Sequence, residues 1–441
     1  MVEAEVAVKS KGLLIGVALL AVLGGLVFWS NKSQAAKEKA PTDTSTKLLN
    51  IPDDQFQQIQ IKKLTGETIT LKKDNGKWRM TEPKDLPADQ DSVSSMTSSL
   101  GSLTSDKVID DKAGDLQQYG LATPTLDVQV LRKDGKTDHL LIGDDTLTGS
   151  GAYAKLAGDS KVVTISSFTK TSLDKRPDDL RDKRLMSFDS DKLTRVELTA
   201  KGAPIEFGKN AQNEWAIVKP RPLRADGSAV DGLITKLKDV KMDLTETDAP
   251  KKYAAAPKVA TATVTDASGT QTIEVHRDKD KNVFARSSAV EGIYKVNADV
   301  ADAMDKGLDD FRNKKLFDFG FSDPSKIDLK GVSYTKDGDK WKSGSKTMDN
   351  TTVQTLIDKL RDLASIKFAD KGGGDPVFEA TVTSNSGKRV EKVLISRQGT
   401  QYFAQREGEP SIYELDGKAV DDLTKAAADV KEAAPEPPKK K

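Results

Sequence analysis

The chain has 441 residues, with Lys plus Arg at 69 against Asp plus Glu at 68, two His and no Cys. That length suits about three domains, and the balanced charge argues against a dedicated nucleic-acid binder, which shows a basic excess or stripe. The lack of Cys excludes disulfides, thiolate metal sites and a Cys nucleophile.

Residues 1–11 read as a short stub. The stretch from Gly12 to Trp29 (12–29) is the long apolar run of the chain, and its 18 residues carry no charge. A helix of that length reaches about 27 Å, close to the hydrocarbon thickness of a bilayer. Trp29 stands where an aromatic anchor would lie at headgroup level. The alternative is a cleaved signal peptide with a weak site at Ser33-Gln34-Ala35. The length of the run, and Lys32 ahead of that site, favour an uncleaved single-pass anchor. Lys9 and Lys11 precede the run, while Lys32, Lys37, Lys39 and Lys47 follow it. Basic residues alone favour the amino terminus outside, but long domains translocate regardless of such differences. The expectation is a signal-anchor layout in the cytoplasmic (inner) membrane, with the large C-terminal domain periplasmic. Residues 30–47, rich in Lys, Ala, Thr and Ser, read as a flexible linker.

From Leu48 onward the sequence repeats. Trp78, Trp215 and Trp341 are spaced by 137 and 126 residues. Each sits on the second strand of an expected hairpin: Ile69 and Leu71 lead to Trp78, Ile205 and Phe207 to Trp215, and Val332 and Tyr334 to Trp341. Pro83 and Pro220 follow five residues on, then Ala88-Asp89 and Ala225-Asp226. Apolar stripes at helical spacing come next: Val93, Met96, Leu100 and Leu103; Val230, Leu233, Leu237 and Val240; and, after a three-residue deletion, Val353, Leu356, Leu360 and Leu363. Each stripe is expected to pack on its own hairpin, with Asp89 and Asp226 as helix-start residues. Strand-like alternation then resumes, passing Tyr153-Ala154, Phe284-Ala285 and Phe403-Ala404. Copies one and two close on a shared phrase, Leu180-Arg181-Asp182-Lys183-Arg184-Leu185 against Phe311-Arg312-Asn313-Lys314-Lys315-Leu316.

The predicted fold is α+β: one N-terminal transmembrane helix followed by three tandem antiparallel-sheet-plus-helix repeats. The units are 48–190, 191–322 and 323–432, and 433–441 (AAPEPPKKK) is expected to be a disordered tail.

Trp78, Pro83, Ala88 and Asp89, the Gln-Tyr-Gly-Leu-x-x-Pro phrase from Gln118 to Pro124, Ile142-Gly143-Asp144, Tyr153-Ala154 and the Leu-Arg-Asp-Lys phrase at Leu180 together resemble the bacterial family known as domain of unknown function 4340. The likeness spans the part after the linker. It fades in copy three, which lacks the proline and the Tyr-Gly phrase. The resemblance implies an envelope protein of accessory or scaffold type, often encoded beside ATP-binding-cassette (ABC-type) transporters of the gliding-motility-auxiliary kind. It supplies no catalytic residues to carry over.

The Arg181 and Arg312 phrases read either as a basic patch or, preferably, as solvated helix ends joining repeats. Gly143-Asp144-Asp145 with Thr146 lacks the oxygen donors of a calcium loop and reads as a hairpin turn. Gly149-Ser150-Gly151 and Gly372-Gly373-Gly374 lack the features of a phosphate cradle and read as flexible turns. His139 and His276, in corresponding strands, read as strand-surface residues rather than zinc ligands. The Ser172–Lys175 and Ser343–Lys346 pairs lack the further elements of a penicillin-binding serine enzyme. The three tryptophans read as core plugs, with sugar-stacking platforms as the alternative. No catalytic, cofactor-binding or metal residue is assigned. The functional expectation is a non-enzymatic envelope protein held by Gly12 to Trp29 beside an ABC-type transporter or other envelope proteins, with no nucleic acid. The alternative is a module binding envelope polysaccharide or another ligand in grooves between repeats.

Overall fold

A computed structural model describes residues 46–321 and 324–434. The expected transmembrane helix at 12–29 lies outside the described residues, as do 30–45 of the expected linker and 435–441 of the expected tail. Among the described residues no helix is long and apolar enough to cross a membrane. The ends of the expected linker and tail are ordered by pairing. Thr46 and Lys47 form a short strand with Ser105 and Thr104, and the Ala433 N–H donates to Thr347 O at 2.9 Å.

The chain divides into two compact units at the Asp182–Lys183 bond. The first holds a nine-stranded sheet whose central strands are Phe56–Lys63, Leu126–Arg132 and Thr137–Asp145. The second holds an eight-stranded sheet centred on Arg195–Thr199, Lys258–Asp266 and Gly269–Arg277, and a nine-stranded sheet centred on Lys326–Leu329, Asp375–Ser384 and Arg389–Gln398. Every pairing is antiparallel, and one long helix covers the core face of each sheet: Gln90–Gly101, Gly227–Asp239 and Asn350–Asp362. The repeated sheet-plus-helix part of the predicted fold is therefore present.

Side-chain alternation explains the strands. In Lys258–Asp266, Ala260, Ala262 and Val264 face the core while Thr261, Thr263 and Thr265 face outward, as the two-residue period of a strand requires. The helical stripes are all buried, down to Leu103, Val240 and Leu363 just past each helix. Burying such side chains contributes about 1.5–3 kcal/mol each. Asp89 and Asp226 cap their helices, accepting from Ser92 N at 2.9 Å and Ala229 N at 3.1 Å. Asp349 does the same for the third, accepting from Thr352 N at 3.0 Å. Each cap stabilises its helix by about 1 kcal/mol.

The same three aspartates tie the start of each helix to the end of its repeat. Their N–H groups donate to Leu180 O, Phe311 O and Lys431 O, each at 2.8 Å. The closing phrase then hands the chain from one core to the next. Leu180 lies in the first core, while Leu185, Met186 and Phe188 lie in the second. Likewise Phe311 belongs to the second core, and Leu316, Phe317 and Phe319 to the third.

Candidate functional site

The repeats differ most on the outer faces of their sheets. Ala154, Ala285 and Ala404 face the cores, so the preceding Tyr153, Phe284 and Phe403 face outward. A different segment covers each of these aromatics.

In the first unit, Tyr119 meets Tyr153 edge-on, with ring centroids 5.1 Å apart. Gly120 has φ +65°, and a Cβ there would lie 2.5 Å from Asp144 Cγ. A Cβ on Gly143 would fall inside contact distance of Tyr119 O and Gly120 C. The Gln118–Pro124 phrase therefore lies directly on Ile142-Gly143-Asp144, and three of the phrases that carry the family resemblance meet at one place. Their residue types follow from this: glycine where two backbones touch, aromatics where the crossing is roofed. Gly143→Ala is expected to lift the crossing and destabilise the first unit by about 1–3 kcal/mol, the usual cost of overpacking. Faster hydrogen exchange at Tyr119 and Leu121 would register it. Unchanged exchange would show that the crossing tolerates a Cβ.

In the second repeat the cover is the helix Ala249–Ala255, whose Tyr253 packs with Phe284. The Tyr253 hydroxyl donates to Glu274 Oε1 at 2.6 Å, and its ring stacks on His276 with centroids 3.8 Å apart. His276 Nδ1 faces Ala256 O at 2.7 Å and Tyr253 O at 3.0 Å, and its Nε2 faces Glu274 at 3.1 Å. Lys258 Nζ and Arg286 Nη2 each approach Glu274 to 3.4 Å. The Tyr253 hydrogen bond, with help from His276, Lys258 and Arg286, holds the Glu274 carboxyl down at about 2 despite its partial burial. Burial and Glu274 push the Tyr253 phenol above its ordinary range. A general acid or base needs a pKa drawn toward neutrality; here both groups are driven away from it.

This cluster makes stability depend on pH. Glu274 in the folded chain titrates below its unfolded value of about 4.3. Its contribution is therefore present above that value and is lost as pH falls toward 2. Glu274→Gln should flatten the acid limb of stability between about pH 4.5 and 2, relative to the parent chain. Parallel acid limbs would rule out this role.

In the third repeat the cover is Gly372-Gly373-Gly374. A Cβ on Gly372 would lie 2.6 Å from Ile412 Cγ2 and 3.1 Å from Phe403 Cγ, and Gly374 has φ +108° with Arg397 O against it. The expectation of a flexible turn is corrected at Gly372 and Gly374, which are closely packed, while Gly373 between them has open space.

Within the second unit, the second and third repeats meet in a network of paired charges. Arg312, only 7% exposed, donates from Nη1 to Asp309 at 2.9 Å and from Nη2 to Ser411 Oγ at 3.0 Å. Its guanidinium carbon lies 3.3 Å from the ring centroid of Phe368. This corrects the reading of its phrase as a solvated end at Arg312 alone, which the third repeat covers; Lys314 and Lys315 are exposed, and Leu316 and Phe319 are packed as expected. Arg224 reaches Asp318 at 3.2 Å and Lys315 O at 2.8 Å, and Arg389 pairs with Glu214. Arg406 pairs with Glu391 at 3.0 Å and Glu409 at 2.7 Å, and also donates to Leu316 O. Burial opposes the Arg406 charge, but Glu409 and Glu391 more than offset it, so the guanidinium is held above its ordinary range. A cleft of about 560 Å³ opens at this joint, lined by Trp215, Arg224, Asn313, Lys315, Asp318 and Ser411 among others.

The remaining singled-out residues take structural places. His139 faces Asp127 at 2.7 Å on a strand surface, whereas His276 is more deeply covered because the Ala249–Ala255 helix lies over it. Asp145 pairs with Lys170 at 2.7 Å, and Thr146 N–H donates to Gly151 O at 2.8 Å, closing the hairpin that holds Gly149 and Ser150. Ser172 Oγ donates to Thr169 O within its helix, and Ser343 pairs with Lys346 across a hairpin. Among the described residues no group of three or more His, Asp or Glu could hold a metal ion. Trp78 and Trp341 are buried, while Trp215 is half-buried, its Nε1 donating to Asp231 at 2.9 Å. The Tyr253 cluster and the charged joint carried no signal of their own in the sequence; only the match of Tyr253 and Pro257 to Tyr119 and Pro124 could have pointed to the first.

No curated protein matches the chain, and no solved structure does. The family described as Domain of unknown function (DUF4340) matches it twice, over residues 78–216 and 215–379. The first match holds the Tyr119, Gly143 and Tyr153 crossing, the second holds the Tyr253 cluster, and together they cover more than half of the sequence: the chain belongs to this family.

Proposed function

We propose that the protein is a non-enzymatic, membrane-anchored cell-envelope protein, held in the cytoplasmic membrane by Gly12–Trp29 with its repeats in the periplasm. There it serves as an accessory or scaffold to a membrane complex of the ABC-transporter type. The observation that carries the reading is the joint between the second and third repeats. Its Arg224, Arg312 and Arg389 are consumed in tying one repeat to the next, which suits a stiff body that presents surfaces rather than a site that turns over substrate.

The full chain, extracted from membranes in mild detergent, is expected to co-purify with transporter subunits, and proteolysis of spheroplasts to digest its repeats from outside. A chain recovered alone, with transport unchanged on its deletion, would overturn the scaffold role. Protection of the repeats would overturn the orientation.

A second reading has one observation in its favour. The cleft of about 560 Å³ beside Trp215 has the size of a small-ligand site and combines an indole with amide, carboxylate and ammonium groups, a set suited to a sugar. Quenching of Trp215 emission by envelope glycan, abolished in Trp215→Phe, would favour it; emission indifferent to glycan would count against it.

A further inference from the structure

We propose that the first repeat docks end-on against a zwitterionic lipid surface, inserting Leu147 and Phe168 with Leu64 beside them. This rests on the membrane-anchored reading above. Of the exposed large apolar side chains in the first unit, the three most exposed are Leu147 at 102%, Phe168 at 76% and Leu64 at 62%. All three lie at one end of the nine-stranded sheet. Leu64 follows the strand Phe56–Lys63, and its N–H donates to Thr125 O at 3.0 Å. Leu147 is at the tip of the hairpin between Thr137–Asp145 and Gly151–Leu156. Phe168 is the second residue of the helix Ser167–Leu173 that leaves Val162–Ser166, next to that hairpin: Ser167 N–H donates to Ser150 O at 3.2 Å. This helix then runs along the same end, with Lys170 on Asp145 at 2.7 Å and Asp174, just past it, on Lys63 at 2.8 Å.

The point where the chain enters the unit names the occupant. Thr46 pairs with Ser105, and the next residue, Asp106, donates to Thr164 O at 2.8 Å. Thr164 is two residues from Ser166, which pairs with Gly151 at the root of the Leu147 hairpin. The first described residue therefore lies at the same end that carries the exposed side chains, and the apolar run precedes it in sequence. Only residues 30–45 lie between, at most about 55 Å of extended chain. The chemistry of this end fits a neutral interface. Residues 146–151, Thr-Leu-Thr-Gly-Ser-Gly, hold no charge, and the nearby Lys63 and Lys170 are paired within the unit. Apolar side chains on uncharged loop tips are what an interfacial anchor needs.

The absence of Cys makes the test direct. Full-length Leu147→Cys and Phe168→Cys, each carrying an environment-sensitive fluorophore, are reconstituted into phosphatidylcholine vesicles, with Asp134→Cys at the opposite end of the sheet as reference. The expected result is blue-shifted emission at 147 and 168, quenched at least about twofold by lipids brominated in the acyl chain, with position 134 unaffected. If the chain floats with the vesicles but 147 and 168 stay as polar and unquenched as 134, the docking is overturned and the anchor stands. If the chain does not float, the anchored reading itself fails, and the docking with it.

Discussion

Arg406→Met is expected to destabilise the third repeat by about 3–5 kcal/mol, the cost of removing one partner from a buried ion pair. Glu391 is 5% exposed and would keep only the Asp318 N–H, at 3.0 Å and 3.1 Å from its two oxygens. Leu316 O would also lose its donor. The penalty comes from the stranded carboxylate more than from the lost attraction, so removing the second charge should restore most of it: Arg406→Met with Glu391→Leu is expected to recover more than half of the loss. A chain of several repeats does not unfold in one step, so the measurement is native-state hydrogen exchange in the strands Arg389–Gln398 and Gln401–Arg406. A double variant as unstable as the single one would show that the guanidinium matters for packing and not for charge.

Trp341→Ala is expected to cost about 3–5 kcal/mol, and Trp215→Ala less than half of that. Trp341 is 3% exposed and sits against the stripe of the Asn350–Asp362 helix, so truncation leaves a cavity that the sheet behind it cannot fill. Trp215 occupies the equivalent place in the second repeat but is half-buried, with Lys209 Nζ 5.3 Å from its ring and Asp231 on its indole nitrogen. Hydrogen exchange of the adjoining helices, Asn350–Asp362 and Gly227–Asp239, reads each cost separately. Equal losses would mean that both tryptophans are plugs, and would remove the structural asymmetry that leaves Trp215 available to the cleft.

Much of this architecture is written locally. Val93, Met96 and Leu100 announce a helix face because neighbours three and four apart share a side of the cylinder; Asp89 announces its start because a short carboxylate satisfies a free N–H there. Asp349 went unrecognised although its geometry is the same, because the three-residue deletion moves it and Met348 replaces the alanine before it. The outer-face covers were less legible. Tyr119 and Gly143 are 24 residues apart in sequence, and nothing in either phrase says that they touch; once they do, the need for glycine at 120 and 143 is plain. Gly372–Gly374 misled for the opposite reason, since a glycine run suits both a loose turn and a tight crossing, and only the neighbours Phe403 and Ile412 distinguish the two.

Periodicity within one element and offsets between adjacent ones suffice for the repeat, the antiparallel sheet-plus-helix unit and the burial of the tryptophans at 78 and 341. The fate of the charges is set by long-range packing. Arg312 and Ser411 are 99 residues apart, and Arg389 and Glu214 are 175 apart. Whether such groups are solvated, stacked or locked in pairs depends on how one repeat is set against the next, and an ion's energy follows its burial and its partners rather than its neighbours in the chain.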